Sequence, residues 1–470
     1  MDKSRLLLIR PNSFIESTPP PLGLMYIASY LRENLDEFDI KIVDARIKDF
    51  SFEDIEECIK DYQPEYIGIT SLYVDSQQLH RIAQISKSIK KSSVVIIGGP
   101  YTTSGYKQAL KDPNIDFCIV GEGEIPFKDL MEALRYKLKI EDIKGIALRN
   151  RGGILYNGVQ AFVEDLDTLP FPAWDLIELN DYFYGKKRSL ENPVQIYERA
   201  VSVMSSRGCP YGCIYCHNIF GKKFRARSPE NVIKELKYLI SEYKVQEIEF
   251  LDDTFNCNKE RAIKICELIV AEKIKLKICF SNGVRADIMD EELIIKLKEA
   301  GTYRINYGIE STSSRIQKSM GKRLNLTYAK EIIEKTSRHK ILCGAFFMIG
   351  FPTETEKEMR ETIDFAAESK LHTAVFAIAT PYPGTELFRQ AEEKGFNVER
   401  QFSTVGKVSV NMSAVPAEKL GRLRTLAFRK FYFNPIRCWR LFVRVPRKVV
   451  LFKNFIEVVR VAFFKKELYG

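Results

Sequence analysis

Along residues 1–140, short apolar runs alternate with longer stretches whose apolar positions recur every three or four residues. The runs RLLLIRP, FDIKIVD, PEYIGITS, SVVIIGG and DFCIVG are largely continuous in apolar character, the pattern of parallel strands covered on both faces. Between them, LGLMYIASYLRENL and QQLHRIAQISKSIKK keep helical spacing. Five such units predict an α/β domain over 1–140, a doubly wound, flavodoxin-like parallel sheet with its ligand at the carboxyl ends of the strands.

The pattern changes over 141–194. IKGIALRNRGGILYNGV reads as a hairpin turning at Arg151-Gly152-Gly153, and the proline-bearing EDLDTLPFPAWDLIELNDYF reads as an extended linker. A second βα series fills 195–400, with strands in RAVSVMSSRG, EIEFLDD, KICFSNG, YRINYGIES, GAFFMIGFP and TAVFAIATPYPG. Six parallel units predict a partial (β/α) barrel with its chemistry on loops at the strand carboxyl ends. Residues 401–470 read as a basic helical extension. Its segment VVLFKNFIEVVRVAFF is polar only at Lys453, Asn454, Glu457 and Arg460, which leaves a broad apolar surface.

Charge adds one feature. The chain of 470 residues carries a net +10, yet residues 421–470 hold 13 of its 72 Lys and Arg and only two of its 62 acidic residues. The rest is nearly neutral at −1, so a nucleic-acid partner finds no support. An amphipathic basic tail suits either a helical lid on the barrel or a peripheral contact with an anionic membrane that presents a lipid-like substrate. No uninterrupted apolar stretch reaches the roughly 18 residues that span a bilayer, and the start MDKSRLLLIRPN lacks the pattern of a signal peptide. The reading expects a cytoplasmic protein, with the inner membrane face as a possible station.

Of ten cysteines, seven stand singly in apolar or amphipathic surroundings and read as small buried hydrophobes. The other three form SRGCPYGCIYCHN, placing Cys209, Cys213 and Cys216 at C-x3-C-x2-C just past a strand. Three thiolates on one loop suit a soft metal centre. Three ligands on a 4Fe–4S cluster leave one iron open to a substrate. A zinc knuckle closed by His217 is the competing reading, disfavoured because that histidine adjoins Cys216 and would strain a tetrahedral site.

Later strand ends add polar groups. Asp252 and Asp253 in EIEFLDDTF suit an ammonium group, or a cap for the helix in NKERAIKICELI. Asn282 and Arg285 follow in SNGVRAD, the arginine suited to a carboxylate or to a structural acid. Glu310 ends YGIES, where a ribose hydroxyl is a fitting partner. Gly350 in FFMIGFPTET lets backbone approach an adenine edge, and Tyr215 either lies against that adenine or belongs to the core.

The triad and these motifs, over roughly 195–400, resemble the radical S-adenosylmethionine (SAM) superfamily. The resemblance implies that the open iron chelates SAM, that the cluster's electron yields a 5′-deoxyadenosyl radical, and that Tyr215, Asp252, Asp253, Asn282, Arg285, Glu310 and Gly350 belong to the SAM site. The segment from Pro20 to Leu31, the Gly98-Gly99-Pro100 turn and the Gly121-Glu122-Gly123-Glu124 turn further resemble the cobalamin-binding members of that group. That likeness implies that Thr70, Ser71 and Leu72 meet the corrin, with Gly98, Gly99, Gly121, Glu122 and Gly123 around the nucleotide tail. Taken alone, those glycines fit either a backbone-lined slot or ordinary tight turns. The histidine motif D-x-H-x-x-G is absent, and His80 reads as a plain helix residue. The expected activity is methylation of an unactivated carbon, with oxidative cyclisation or rearrangement of the porphyrin-cyclase type, or electron transfer without SAM turnover, as rivals. The implied partners are a small-molecule or lipid-like substrate and an external electron donor. No general acid or base stands out.

Overall fold

The computed structural model describes residues 3–15, 17–187, 189–217, 219–398 and 410–445, with 447, 448, 452, 456 and 459. Contacts divide the chain into two compact units, Met1–Ser189 with Asn218–Gly221, and Leu190–His217 with Lys222–Gly470.

The first unit is built on strands β1 (Ser4–Arg10), β2 (Phe38–Asp44), β3 (Tyr66–Thr70), β4 (Val94–Gly98), β5 (Phe117–Ile119), β6 (Ile146–Asn150) and β7 (Gly153–Tyr156), in the order β2-β1-β3-β4-β5-β6-β7. The first five are parallel, and order reverses about β1 and β3, the switch point that opens a ligand crevice. Leu6 to Ile9 in central β1 are fully buried, whereas edge strand β2 alternates buried and exposed positions. The 141–157 hairpin forms, but it extends the sheet. β6 pairs antiparallel with β5, and β7 with β6. Its IALRN and GILY alternation meets only half-burial, which suits an antiparallel edge. The hairpin read within the 141–194 linker thus contributes two strands to the sheet.

The second unit carries β8 (Ala200–Val203), a short antiparallel ribbon of β9 (Ser206–Arg207) and β10 (Arg225–Ala226), and β11 (Glu247–Phe250), β12 (Lys277–Val284), β13 (Thr302–Glu310), β14 (Leu342–Ile349) and β15 (Thr373–Ile378). Six of these form one parallel sheet, β15-β14-β13-β12-β11-β8, a partial (β/α) barrel. Its outer face is apolar: Phe250, Phe255 and Phe280 cluster on one side, and Phe347, Phe376 and Phe431 on the other. Helices Ala417–Tyr432 and Pro435–Arg444 pack on the β15 side. Buried Arg437 donates to the carbonyls of Ala367 (2.8 Å), Ser369 (3.2 Å) and Leu371 (3.0 Å), serving the carbonyl-rich end of helix Glu356–Glu368. Lys453, Asn454, Glu457 and Arg460 lie outside the described residues.

Candidate active site

β8 ends at Val203, and the chain turns through Ser205 and Ser206 into the loop holding Cys209, Cys213 and Cys216. The β9–β10 ribbon closes the base of this loop. At its middle, the Ile214 N–H reaches the Met320 carbonyl at 3.0 Å, and the Ile214 carbonyl accepts from Leu387 N at 2.8 Å. Ile214 and Tyr215 pack against Ile316, Met320 and Phe351.

All three thiols are free. Among the described residues, no three His, Cys, Asp or Glu side chains already stand in a metal-holding arrangement, yet these sulfurs are close enough to feel one another. Burial, then the charges of Cys213 and Cys209, push the Cys216 thiol up to about 12. Burial likewise raises Cys213, against Lys322 and the hydrogen bond from Tyr215. Without a metal, the raised Cys213 and Cys216 thiols would stay protonated, and a metal centre is what makes them thiolates. Three soft donors on one braced loop fit an iron–sulfur cluster that keeps an open corner.

The SAM candidates gather around this loop with unequal freedom. Asp252 is 2 % exposed and already committed: it accepts from Ser205 N (2.7 Å), Ser205 Oγ (2.5 Å) and Ser206 Oγ (2.6 Å). Asp253 accepts from Gly208 N at 3.1 Å, and burial and the charge of Asp252 raise its carboxyl. Neither caps a helix; Asn258 caps Lys259–Ala271. Asn282 donates to the carbonyl of Asp252 at 3.1 Å. Arg285 pairs with Asp287 (2.6 Å) and lies 3.7 Å over the Tyr211 ring, so an acid two residues along already holds it.

Glu310 sits at φ +67°, a left-handed conformation that costs a non-glycine residue free energy and marks functional strand ends. Its carboxylate receives Lys322 Nζ at 2.9 Å, and the same ammonium reaches Tyr215 Oη at 3.3 Å. Lys322 is a site residue that the sequence did not single out. It lies in MGKRLN, twelve positions past Glu310, with no motif to mark it. The Tyr215 ring meets Phe351 edge-on at 5.6 Å. Glu354, which burial pushes up to about 7, receives Gly350 N (2.7 Å) and Phe351 N (3.0 Å) and fixes the GFPTE turn. Cys257, read as an apolar filler, is only partly buried and lies within electrostatic reach of Cys209.

In the first unit, the carboxyl edge carries Thr70, Ser71 and Leu72 after β3, with Leu72 38 % exposed. Gly99 has φ +93°, and a Cβ there would stand 2.5 Å from Thr70 Oγ1, so the Gly98-Gly99-Pro100 turn is pressed against the β3 exit. Above Gly121, by contrast, a Cβ would meet nothing within 4 Å. Glu122 faces inward and accepts from Val163 N at 3.0 Å, and Gly123 leads into helix Glu124–Tyr136. Ser71 Oγ and Thr102 Oγ1 are buried without a partner among the described residues. Orphaned hydroxyls beside an open glycine at a switch-point edge fit a polar, bulky ligand such as a corrin with its amide fringe. His80 holds Asp112 (2.6 Å) and the Tyr101 hydroxyl (2.9 Å).

Comparison with known proteins bears on both units. The model of the radical SAM superfamily matches residues 203–366, and that of the B12 binding domain matches 14–131. A protein of Pyrococcus horikoshii described as an uncharacterized methyltransferase is 33% identical over 447 residues, covering 93% of this chain and 94% of its own. The cytidylyl-2-hydroxyethylphosphonate methyltransferase of Streptomyces wedmorensis is 27% identical, covering 83% and 82%. The anaerobic magnesium-protoporphyrin IX monomethyl ester cyclase of Rubrivivax gelatinosus is 26% identical, covering 92% and 78%. Among solved structures, the cobalamin-dependent SAM radical enzyme OxsB with aqua-cobalamin and SAM superposes with a TM-score of 0.74 at 17% identity, covering 98% of this chain and 72% of its own. The radical SAM methyltransferase TsrM from Kitasatospora setae gives 0.70 at 16%, covering 83% and 78%. These two likenesses speak to the fold.

Proposed function

Since the chain belongs to the cobalamin-binding radical SAM enzymes, we propose that it transfers a methyl group to an unactivated carbon of a small-molecule or lipid-like substrate. Its cofactors are a 4Fe–4S cluster, SAM and cobalamin. When bound, these supply an electron, an adenosyl radical that removes a hydrogen atom from carbon, and a methyl carrier. The protein's own work is to hold, align and keep dry.

The observation that carries this reading is the three-thiol loop and the orphan-hydroxyl sheet edge on a single chain. In it, Cys209, Cys213 and Cys216 hold the cluster. Asp253 and Asn282 serve the SAM ammonium, Arg285 its carboxylate and Glu310 the ribose, with Lys322 fixing Glu310 from behind. Tyr215 and the Gly350 backbone flank the adenine. Asp252 acts one step removed, through the serines that lead into the loop. Thr70, Ser71, Leu72, Gly98, Gly99, Gly121, Glu122 and Gly123 line the corrin and its tail. An external one-electron donor completes the set.

The test is anaerobic reconstitution with iron, sulfide and cobalamin, then reduction in the presence of SAM. Stoichiometric corrin and release of 5′-deoxyadenosine are expected, and a product heavier by one methyl substitution once substrate is supplied. Likeness to the porphyrin cyclase favours oxidative ring closure as the second reading, and a product lighter by hydrogens would establish it. Protein that binds cluster and corrin but never consumes SAM returns the chain to electron transfer.

Peripheral contact with an anionic membrane is supported by helix Pro435–Arg444, where Ile436, Trp439, Phe442 and Val443 are exposed between basic residues. No helix among the described residues is long and apolar enough to cross a membrane. Trp439→Ser with Phe442→Ser should abolish sedimentation with phosphatidylserine vesicles; wild-type protein that stays in the supernatant removes the idea.

A further inference from the structure

The inner face of the partial barrel carries polar chemistry that neither the thiol loop nor the SAM candidates use. Strand register sets Ser202, Glu249 and Cys279 side by side, then Cys279 beside Arg304, and Asn306 beside Gly344 and Thr373. Alternation turns Ile248, Phe250, Ile305 and Tyr307 to the opposite, apolar face.

Arg304 is 3 % exposed and enters no ion pair among the described residues. One donor, Nη2, reaches Thr373 Oγ1 at 3.3 Å, while Nε and Nη1 have no partner among the described residues. Two positions along the same face, Asn306 gives its Nδ2 to the Ser281 carbonyl (3.0 Å) and leaves Oδ1 buried and unpartnered. Glycine at 344 is what makes room between them: a Cβ there would stand 2.1 Å from Asn306 Oδ1 and 2.6 Å from Thr373 Oγ1. Glu249 lies within electrostatic reach of the arginine, but its Oε2 accepts from Glu191 N and Ser202 Oγ, both at 3.0 Å, and it gives the guanidinium no hydrogen bond among the described residues. Leu342, in register with Arg304, belongs to a buried apolar cluster with Leu190, Val194, Tyr303, Leu441 and Val445. On β15, Val375 is 48 % exposed. A buried guanidinium with two donors left without hydrogen-bond partners is costly, and a ligand that completes it accounts for its retention.

We propose that Arg304 is the anion-recognising residue of the substrate pocket. It takes a carboxylate or phosphate oxyanion, while Asn306 Oδ1 accepts from a hydroxyl or N–H beside that anion. The assignment rests on the methyltransferase reading and narrows its substrate class. Glu310 lies six residues further along β13, about 20 Å of strand, so the oxyanion sits at the end of an elongated substrate remote from the reacting carbon.

The experiment takes full-length, anaerobically reconstituted protein and measures thermal melting with sodium phosphate or sodium acetate against sodium chloride at equal ionic strength. Wild type should show a saturable rise in Tm with at least one oxyanion. Arg304→Met should lose the rise, and Arg304→Lys should keep a weaker one. In chloride, the methionine variant should melt no lower than wild type, since it removes a charge that lacked a partner. A response from phosphate alone assigns phosphate esters, and one from acetate alone assigns carboxylates. No response in wild type, an equal response in Arg304→Met, or a marked loss of Tm for Arg304→Met in chloride overturns the proposal. One phosphate per chain that survives dialysis would mark a resident ion and overturn the substrate assignment. SAM consumption is followed on the same wild-type sample. Consumption without an anion response sinks Arg304 alone, whereas an anion response without consumption leaves the site standing and sinks the methyltransferase reading.

Discussion

Replacing Asp252 separates two roles that its position allows. Its carboxylate takes three hydrogen bonds in a buried setting, from Ser205 N and the hydroxyls of Ser205 and Ser206. Cys209 follows three residues after Ser206, so the carboxylate braces the approach to the cysteine loop. Asp252→Ala orphans a buried backbone N–H and removes two charge-assisted bonds at about 1.5–3 kcal/mol each. Relief of the buried charge offsets part of this, and a net loss of about 3–4 kcal/mol is expected. Asp252→Asn differs. Its Oδ1 still accepts the Ser205 N–H, and its Nδ2 can donate to the two hydroxyl oxygens, which are able to accept. Its cost should be about 1 kcal/mol.

If Asp252 positions the loop, the alanine variant should bind well under half the iron and sulfide of wild type after anaerobic reconstitution and melt earlier in urea. The asparagine variant should keep most of both. If instead its charge meets the SAM ammonium, the two variants lose SAM affinity alike while retaining a full cluster. Equal SAM loss with intact iron content in Asp252→Asn refutes the positioning account.

Three further outcomes follow from the same geometry. Alanine at any one of Cys209, Cys213 or Cys216 should eliminate the 4Fe–4S absorbance and SAM cleavage; retention of a full cluster by any single variant would remove that residue from the ligand set. Arg437→Met should cost about 3 kcal/mol in urea unfolding, because it strips buried charge-assisted bonds from carbonyls at the end of helix Glu356–Glu368, and a loss under about 1 kcal/mol would show that water replaces them. Burial pushes Glu249 up to about 7 against the hydrogen bond from Ser281, so the folded state keeps a proton that the unfolded chain releases. Stability from this group is therefore lost as pH rises from about 4.5 to about 7, and Glu249→Gln should gain up to about 3 kcal/mol over wild type at pH 8 and little at pH 5; the same difference at both pH values would contradict the shift.

The architecture was legible because each strand announced itself in more than one way. RLLLIR, YIGIT and VVIIG are too short and too apolar for surface helices, and their spacing leaves room for one crossover each, so a parallel sheet is the economical solution. Residues 141–157 were harder. A hairpin can be read from Gly152-Gly153, but nothing in IALRN says that its free edge will find β5, a tertiary choice made where β5 runs for only three residues. The inner face of the barrel was written plainly in EIEF and RINYG, whose alternation sets Glu249, Arg304 and Asn306 against Ile248 and Ile305. Alternation says which face a side chain takes, however, and not whether it finds a partner there.

The same limit explains the site. Strand-end spacing brings Asp252, Asp253, Asn282, Arg285 and Glu310 to one rim, because each closes a parallel strand of the same sheet and the rim is where such strands must end. Orientation at the rim is decided by the loops that leave it. Asp252 turns back to Ser205 because β8 exits beside β11, with Val203 in register with Phe250; Asp253, one residue on, faces the cysteine loop instead. Arg285 meets Asp287 only because the loop after β12 curls within two residues. Lys322 escapes notice since its partner Glu310 is twelve residues away, beyond any local pairing rule, and helix Ser314–Ser319 is what returns the chain to the same spot. A residue's address is thus periodic and readable, while its occupancy depends on contacts between loops that no period encodes. Substitutions that keep the address and change only the occupancy, such as Asp252→Asn against Asp252→Ala, are the ones that measure that second, unwritten part.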